Sequence, residues 1–393
     1  MKVVFLTHEY PPFIFGGIGG FVENLATGLL KIGIDVVVVC GYPTTRPARG
    51  YSKTIDKGIT IIRCPYPSIP PHHVVFQLAN LKNINKILKE EVPDIIHGQS
   101  GSSFPALLSL KKYAPVLISF HASPLMERNW SIHSILRGGS FKDLQTYVIG
   151  YPSESFIYKK EFQHSDLSVA VSSTLKSDLL TEMGQKYSEK TRYIYNGVNL
   201  EKLDGEYSHA MKKVEEDEHT VLFAGRLFWR KGALNIIRIA HLLQKNNSKF
   251  KIIIHGTGPL FNKMQSDITS LGLHNVELKG FTTRADLMKS LALCKYVAIP
   301  SMYDACPMAL IEGICLGKIP LLLDVPFASE LSEAGEYGVL ASNIGSLANK
   351  LMVLRDKIDI NLFSQKIRVF ARKKFDVNET TRKYFEAYKE LCL

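Results

Sequence analysis

Residues 300–320, PSMYDACPMALIEGICLGKIP, join two apolar runs, 296–299 and 319–323, through a loop and a helical segment. Strand, helix and strand in this order are typical of a parallel sheet. Asp304 lies in the loop, and Glu312 follows inside an otherwise apolar helical run. A buried charge is costly unless it is paired or hydrogen-bonded. Glu312 therefore needs hydroxyl or amide groups as partners, and the alternatives are a salt bridge or a position on an exposed helix face.

The same alternation of apolar runs and amphipathic segments extends along the whole chain. Short β-branched runs predict strands at 3–6, 36–39, 59–62, 95–96, 116–120, 167–171, 221–224, 251–254, 276–278, 296–299 and 319–323. Amphipathic spacing predicts helices at 21–31, 234–243 and 378–391. The polar stretch 199–218 has little apolar periodicity and is predicted to be a linker or surface excursion. We expect two α/β domains with a cleft between them and ligands at the carboxyl ends of the strands.

The composition limits the class of protein. At 393 residues the chain is too long for one ordinary core, and 46% hydrophobic with 22% charged residues is typical of a soluble globular protein. No segment approaches the ~18 uninterrupted apolar residues of a membrane span. The first apolar run, 3–6, is too short for a signal peptide. Six cysteines without a CxxC pair favour reduced thiols, so a cytoplasmic protein is expected.

The net charge of +11 is spread over both halves of the chain. No basic helix with interleaved aromatic residues accompanies it, so nucleic acid is not an expected partner. The excess suits a protein that handles anionic small molecules or touches an anionic membrane surface.

Two glycine-containing turns follow predicted strands. In EYPPFIFGGIGGF (9–21), glycines such as Gly16 and Gly17 precede the first helix and could let backbone amides approach an anion. Val22 breaks the dinucleotide fingerprint, and a tight strand–helix connection explains the glycines equally well. In GRLFWRKG (225–232), Arg226 and Lys231 follow a strand end and suit a diphosphate, although solvated surface cations are the usual alternative.

Histidines mark the exits of other predicted strands. His121 follows the strand 116–120, where a catalytic and a structural role are about equally favoured. His72, His73 and His97 are predicted to lie in loops on the same face, where they could shape an acceptor pocket. Their spacing does not match a metal site.

Together these segments resemble glycosyltransferase family 4, retaining sugar transferases of the GT-B fold. GGIGGFVENLATGLLKIGIDVVVV (16–39) is similar to the family's first glycine loop and helix, and AGRLFWRKG (224–232) to its phosphate clamp. DIIHGQSG, LISFHASP and YNGVNLEKLD are similar to further elements, and 304–312 to the E-x7-E motif. Their order and spacing over nearly the whole chain carry the resemblance.

The resemblance implies an α/β GT-B fold with two Rossmann-like domains facing each other across a cleft. An acceptor-binding domain would comprise 1–198 plus 377–393, with a returning C-terminal helix, and a nucleotide-sugar donor-binding domain would comprise 199–376. It implies retaining transfer from a nucleotide-diphosphate sugar to a hydroxyl acceptor. No cofactor and no metal are expected, because Arg226, Lys231 and helix N-termini would supply the positive field.

The resemblance also implies roles for matched positions on the donor diphosphate and sugar. Gly16 and Gly17 would approach the diphosphate, and Arg226 and Lys231 would clamp it. His121 would contact the donor sugar near the reacting carbon.

The segment 304–312 would complete the donor site. Asp304 would bind the donor sugar, and Glu312 would accept hydrogen bonds from the ribose diol. Cys306, Pro307 and Met308 would face the sugar and phosphate, with Pro307 at the first helical position.

Departures from the family pattern concern the donor sugar. Asp304 stands where the family has Glu, which shortens its reach by roughly 1.5 Å. Ala305 and Cys306 replace a Gly and a Phe-like residue, and LLLDVPFASEL lacks the usual GG. A nucleotide-sugar epimerase or phosphorylase on the same fold, and a non-catalytic nucleotide-sugar-binding subunit, stay open as alternatives.

The acceptor is the least determined partner: a glycan, a lipid-linked molecule or a small molecule. In the insertion 123–160, apolar residues at helical spacing have basic neighbours: Trp130, Ile132, Ile135 and Leu136 with Arg128, Arg137 and Lys142. Such a patch could make peripheral contact with the inner face of a membrane. Core packing is favoured, because most apolar periodicity belongs to cores.

Overall fold

A computed structural model of the chain describes residues 1–14, 16–45, 50–69, 71–104, 106–136, 144 and 146–393. The chain divides into two compact units, one of 1–129, 145–197 and 377–393, the other of 130–144 and 198–376. Within the described ranges, no helix is long and apolar enough to cross a membrane.

The first unit is built on an eight-stranded sheet. Its strands are β1 (Lys2–Thr7), β2 (Asp35–Thr44), β3 (Ser52–Asp56), β4 (Ile59–Pro67), β5 (Ile95–Gln99), β6 (Val116–Phe120), β7 (Leu167–Ala170) and β8 (Thr191–Tyr193). They lie in the order β3-β4-β2-β1-β5-β6-β7-β8. Only the edge pair β3–β4 is antiparallel among the described pairs. The central strands are buried on both faces, which explains their continuous apolar runs.

Helices of the first unit cover this sheet. They are α1 (Ile18–Lys31), α2 (His72–Glu91), α3 (Leu107–Leu110), α4 (Pro124–Ile135, which continues into the second unit), α5 (Tyr151–His164), α6 (Ser173–Met183) and, at the end of the chain, α15 (Val377–Cys392). Helices α1 and α15 pack together, and a Cβ on Gly28 of α1 would lie 2.1 Å from Thr381 Oγ1. Glycine at this crossing therefore permits the close approach of the two helices.

Helix α15 also completes a buried polar network under the sheet. His97 Nδ1 lies 2.7 Å from the Tyr388 hydroxyl, and His97 Nε2 lies 2.7 Å from Ser119 Oγ, which is 2.7 Å from the Tyr384 hydroxyl. The predicted loop position of His97 is wrong, because this residue lies inside β5 and is fully buried. His72 and His73 begin helix α2 instead of lying in a loop.

The second unit is built on a six-stranded parallel sheet. Its strands are β9 (Asp217–Ala224), β10 (Lys251–His255), β11 (Val276–Gly280), β12 (Cys294–Ile299), β13 (Ile319–Leu323) and β14 (Val339–Ala341), in the order β11-β10-β9-β12-β13-β14. Its helices are α7 (Leu200–Met211), α8 (Ala233–Lys245), α9 (Phe261–Ser270), α10 (Arg284–Leu293), α11 (Met308–Cys315), α12 (Pro326–Leu331), α13 (Ile344–Lys357) and α14 (Ile360–Phe375).

Each predicted strand and helix falls on an observed one, and 167–171 exceeds β7 by a single residue. The linker prediction for 199–218 is wrong, because α7 and the start of β9 lie there. Helix α7 has only Leu203 and Ala210 buried, so its sequence shows little apolar periodicity.

Candidate active site

The loop after β9 carries two of the predicted site residues, Arg226 and Lys231. Arg226 is exposed, with its guanidinium carbon 4.5 Å from the centroid of the Phe228 ring. Lys231 ends a short 3-10 turn that begins at Trp229. The following Gly232 has φ +76°, and a Cβ there would lie 2.1 Å from the Pro300 carbonyl oxygen. Only glycine allows this turn to pass so close to the end of β12.

Asp304, from the loop after β12, comes into direct contact with this turn. Lys231 Nζ donates a hydrogen bond to Asp304 Oδ2, and Asp304 Oδ1 accepts one from the Ala305 N–H at 2.9 Å. Asp304 is only 9% exposed. Backbone contacts join the same loops, since the Met302 N–H donates to the Arg230 carbonyl at 2.8 Å. The structure thus places Lys231, which was predicted to bind phosphate, in contact with Asp304, which was predicted to bind the donor sugar.

The next residues lead into helix α11. Cys306 is 6% exposed, and its neighbour Pro307 is the N-cap of the helix, so Met308 is the first helical residue. The prediction of Pro307 at the first helical position is therefore wrong by one residue. The start of α11 lies four residues from Asp304, and the partial positive charge of a helix N-terminus favours phosphate there.

Glu312 lies on α11 and is paired within the protein. Arg284 Nη1 donates to Glu312 Oε2 at 2.6 Å, and Arg284 Nε donates to Glu206 Oε2 at 2.8 Å. The salt bridge that the sequence left as an alternative is thus present. Arg284 lies 28 positions from Glu312, beyond the reach of any local pattern, and sequence reasoning missed it.

A second missed residue lies just before Arg284. Phe281 follows β11 directly and is 85% exposed, which is unusual for a phenylalanine. Its position after the carboxyl end of a parallel strand was a signal available in the sequence. An exposed flat ring at that edge can stack on a planar ligand group.

The glycine loop of the first unit already holds a carboxylate. Glu9, 1% exposed, accepts hydrogen bonds from the N–H groups of Gly16 and Gly19, each at 2.8 Å. Gly17 is the N-cap of α1 with φ −85°, and a Cβ there would meet no described atom within 4 Å. The Gly16 amide therefore binds an anion that belongs to the protein itself.

His121 lies at the end of β6 as an uncharged imidazole. Its Nε2 is 2.8 Å from Gln99 Oε1, so this nitrogen carries the proton and donates it. Burial, together with the nearby His8, lowers the pKa of His121 to about 3. Burial also lowers the pKa of His8 and of His73 to about 4. These groups act at neutral pH as neutral hydrogen-bonding partners.

Residues of the predicted membrane patch have other contacts. The Trp130 ring lies 5.3 Å from His133 and 5.8 Å from Trp229, the residue two positions before Lys231. Leu136 is 76% exposed. Arg137 and Lys142 lie outside the described residues.

Among the described residues, no group of three or more His, Cys, Asp or Glu side chains is arranged to hold a metal ion. Of the predicted site residues, Arg226, Lys231, Asp304 and Glu312 belong to the second unit, and Gly16, Gly17 and His121 belong to the first.

The fold, two units that are each built on a mainly parallel sheet covered by helices, is that of the GT-B class of glycosyltransferases. The family description "Glycosyltransferase Family 4" matches residues 15–202, and "Glycosyl transferases group 1" matches residues 206–357. The chain belongs to glycosyltransferase family 4.

Similar proteins agree with this assignment. An uncharacterized glycosyltransferase of Methanocaldococcus jannaschii is 26% identical over 332 residues, which cover 81% of this chain and 79% of that protein. Sucrose-phosphate synthase of Thermosynechococcus elongatus has the same fold, with TM-score 0.78, 16% identity and coverage of 99% and 98%. HepE of Anabaena, solved with UDP and glucose, gives TM-score 0.69, 19% identity and full coverage of both chains.

Proposed function

We propose that this glycosyltransferase moves a sugar from a nucleotide-diphosphate sugar to a hydroxyl acceptor, with retention of configuration and without a metal. The observation that carries the proposal is the contact between Lys231 and Asp304, together with the exposed Arg226 in the same loop as Lys231. One place then offers cations for a diphosphate and a carboxylate for sugar hydroxyls. The binding of UDP and glucose by the HepE structure supports a nucleotide-sugar donor.

In this proposal the bond between the anomeric carbon and the diphosphate oxygen breaks through an oxocarbenium-like transition state. The acceptor oxygen bonds to the anomeric carbon on the same face, and the acceptor proton passes to the leaving phosphate. Arg226 and Lys231 stabilise the charge that develops on this diphosphate. The start of α11, with Cys306, Pro307 and Met308, contributes backbone contacts.

The proposal also keeps the predicted roles of the remaining residues. Glu312 accepts hydrogen bonds from the ribose diol, and His121 hydrogen-bonds the donor sugar near the reacting carbon. The low pKa of His121 supports this role, because at neutral pH the ring lacks the second proton of an imidazolium and so acts as a neutral hydrogen-bonding group and not as an acid. Gly17 is the better candidate of the two glycines for diphosphate contact, since the Gly16 amide is engaged by Glu9.

The proposal is tested with a panel of UDP-, GDP- and ADP-linked sugars, with nucleotide release as the readout and the anomeric configuration of the product read by NMR. We expect R226A and H121A to lower turnover by about a hundredfold, the usual effect of removing one such group. K245A, which removes a cation from the opposite end of α8, is the control. Unchanged turnover in both site variants would contradict these roles, and phosphate-dependent release of a sugar phosphate would identify a phosphorylase.

A lipid-linked acceptor, with peripheral membrane contact, is the proposal that accounts best for exposed apolar residues in the insertion. Val148 and Phe156 are 57% and 54% exposed, and Lys160 Nζ lies 5.6 Å from the Phe156 ring centroid. Exposed apolar groups beside cations suit an anionic lipid surface. Co-sedimentation with liposomes that is independent of their anionic lipid content would contradict this part of the proposal.

A further inference from the structure

We infer that Arg284 is a positioning residue that orients Glu312 for the donor ribose, with Glu206 as its anchor. The inference rests on the proposed function. It names a residue that sets the preference of the donor site for ribonucleotides over deoxyribonucleotides. The three side chains come from three helices: Glu206 from α7, Arg284 from α10 and Glu312 from α11.

The geometry assigns each nitrogen of the guanidinium a separate carboxylate. Nη1 donates to Glu312 Oε2 at 2.6 Å, while Nε donates to Glu206 Oε2 at 2.8 Å. The planar guanidinium is thereby fixed at two points, which a lysine ammonium cannot reproduce with the same geometry. Arg284 holds one oxygen of Glu312 and so fixes the orientation of the carboxylate.

The place of Arg284 in its helix is unfavourable without such partners. Helix α10 begins with Arg284 after the N-cap Thr283, whose Oγ1 accepts from the Asp286 N–H at 3.2 Å. Asp286 in the first turn matches the positive end of the helix dipole, whereas an arginine at the first position opposes it. The two carboxylates Glu206 and Glu312 offset this cost. The ion pairs, and not the helix dipole, therefore stabilise Arg284 at this position.

The three side chains differ in their exposure to solvent. The side chain of Glu312 is 16% exposed, that of Glu206 27% and that of Arg284 42%. Glu312 is thus largely enclosed on α11, and its orientation is set before any ligand arrives. A carboxylate held in one orientation binds a pair of adjacent hydroxyls better than a freely rotating one, because less freedom is lost on binding.

This arrangement makes a specific prediction about the ligand. A ribose offers adjacent 2′ and 3′ hydroxyls to a carboxylate, whereas 2′-deoxyribose offers one. Hydrogen bonds to a charged group are among the stronger ones, so an oriented Glu312 should favour the ribonucleotide by about tenfold. Without Arg284, the loss of orientation should reduce this preference.

The test is calorimetric titration of UDP, GDP and ADP, each beside its 2′-deoxy analogue, into the full chain and its variants. We expect wild-type protein to prefer one ribonucleotide by about tenfold, R284A to show a ratio below about twofold, and R284K and E206Q to lie between them. K289A is the matched control: Lys289 lies on the same helix and pairs with Asp286 at 2.8 Å, so its ratio should equal the wild-type ratio. Thermal unfolding of each variant shows that it is folded.

Three outcomes would overturn the role of Arg284. If R284A keeps the tenfold ratio of ribonucleotide to deoxynucleotide affinity while its melting temperature falls, Arg284 only stabilises the packing of the helices. If R284A loses affinity equally for ribo- and deoxynucleotides, it contacts another part of the nucleotide directly. If wild-type protein binds a nucleotide without any ribose preference, Glu312 is not the ribose ligand. No binding by wild-type protein would overturn the proposed function itself, and this failure needs no variant to be seen.

Discussion

The glycine loop after β1 and the loop after β9 occupy equivalent places, each behind a central strand of its sheet and before a helix. A carboxylate contacts each loop, but its origin and its partners differ: Glu9 belongs to the first loop itself, whereas Asp304 comes from the loop after β12. Glu9 accepts from the backbone amides of the first loop, whereas Asp304 pairs with the Lys231 cation of the second. The first helix N-terminus thus already has its anion, while the second loop keeps Arg226 exposed. A glycine-rich turn before a helix indicates an available anion site only when no nearby carboxylate fills it.

Adding one methyl group to each loop should change the stability of the protein by very different amounts. G232A should lower the free energy of unfolding by about 3–5 kcal/mol, because a left-handed residue and a backbone clash combine. Its Cβ would lie 2.1 Å from the Pro300 carbonyl oxygen. G17A, with φ −85° and no described neighbour within 4 Å, should change stability by less than about 1 kcal/mol. Urea denaturation measures both, and equal losses would contradict the difference between the loops.

Acidification should destabilise the first unit more than the second. Burial lowers the pKa values of His8, His73, His97 and His121 in the first unit, and that of His255 in the second. Below the unfolded value of 6.5 the unfolded state binds more protons, so stability is lost as pH falls toward the folded values. We expect the first unit to lose at least about 2 kcal/mol between pH 7 and pH 5. Hydrogen exchange of peptides from both units measures this, and earlier opening of the second unit would contradict it.

The smallest expected effect concerns the carboxylate in the first loop. In E9Q the amide NH2 faces a backbone N–H, so one of the two hydrogen bonds is lost and the protein should lose about 1–2 kcal/mol. Exchange at the Gly16 and Gly19 amides should accelerate. E90Q is the control, because Glu90 is exposed and its described partners are side chains, the Tyr51 hydroxyl at 2.8 Å and Lys86 Nζ at 3.8 Å. Unchanged exchange in E9Q would show that the loop is held without its carboxylate.

Much of the fold was accessible from the sequence, because central parallel strands are buried on both faces and read as continuous apolar runs. The edge strand β3 was not, since all five of its residues are exposed and no apolar run marks it. Helix α7 was missed for a similar reason, with only two buried side chains.

Within the site, positions next to strand ends were predictable, whereas side-chain partners were not. Arg226, Lys231 and Asp304 were singled out by their place after β9 and β12. The pairing of Lys231 with Asp304 depends on two strands that are neighbours in the sheet and distant in the chain. Likewise, the partner of Glu312 comes from α10, and no spacing rule connects it to α11.

The return of α15 to the first unit has a consequence for synthesis. The hydroxyls of Tyr384 and Tyr388 complete the network around His97, so the first unit lacks these groups until residues 198–376 have been translated. At roughly 5–20 residues per second, this delay lasts about 10–40 seconds. The second unit, which is continuous from 198 to 376 apart from the segment 130–144, emerges before its neighbour is complete. Until α15 has been made, His97 lacks the Tyr388 hydroxyl and Ser119 lacks the Tyr384 hydroxyl, so we expect the nascent first unit to be less stable than the finished one.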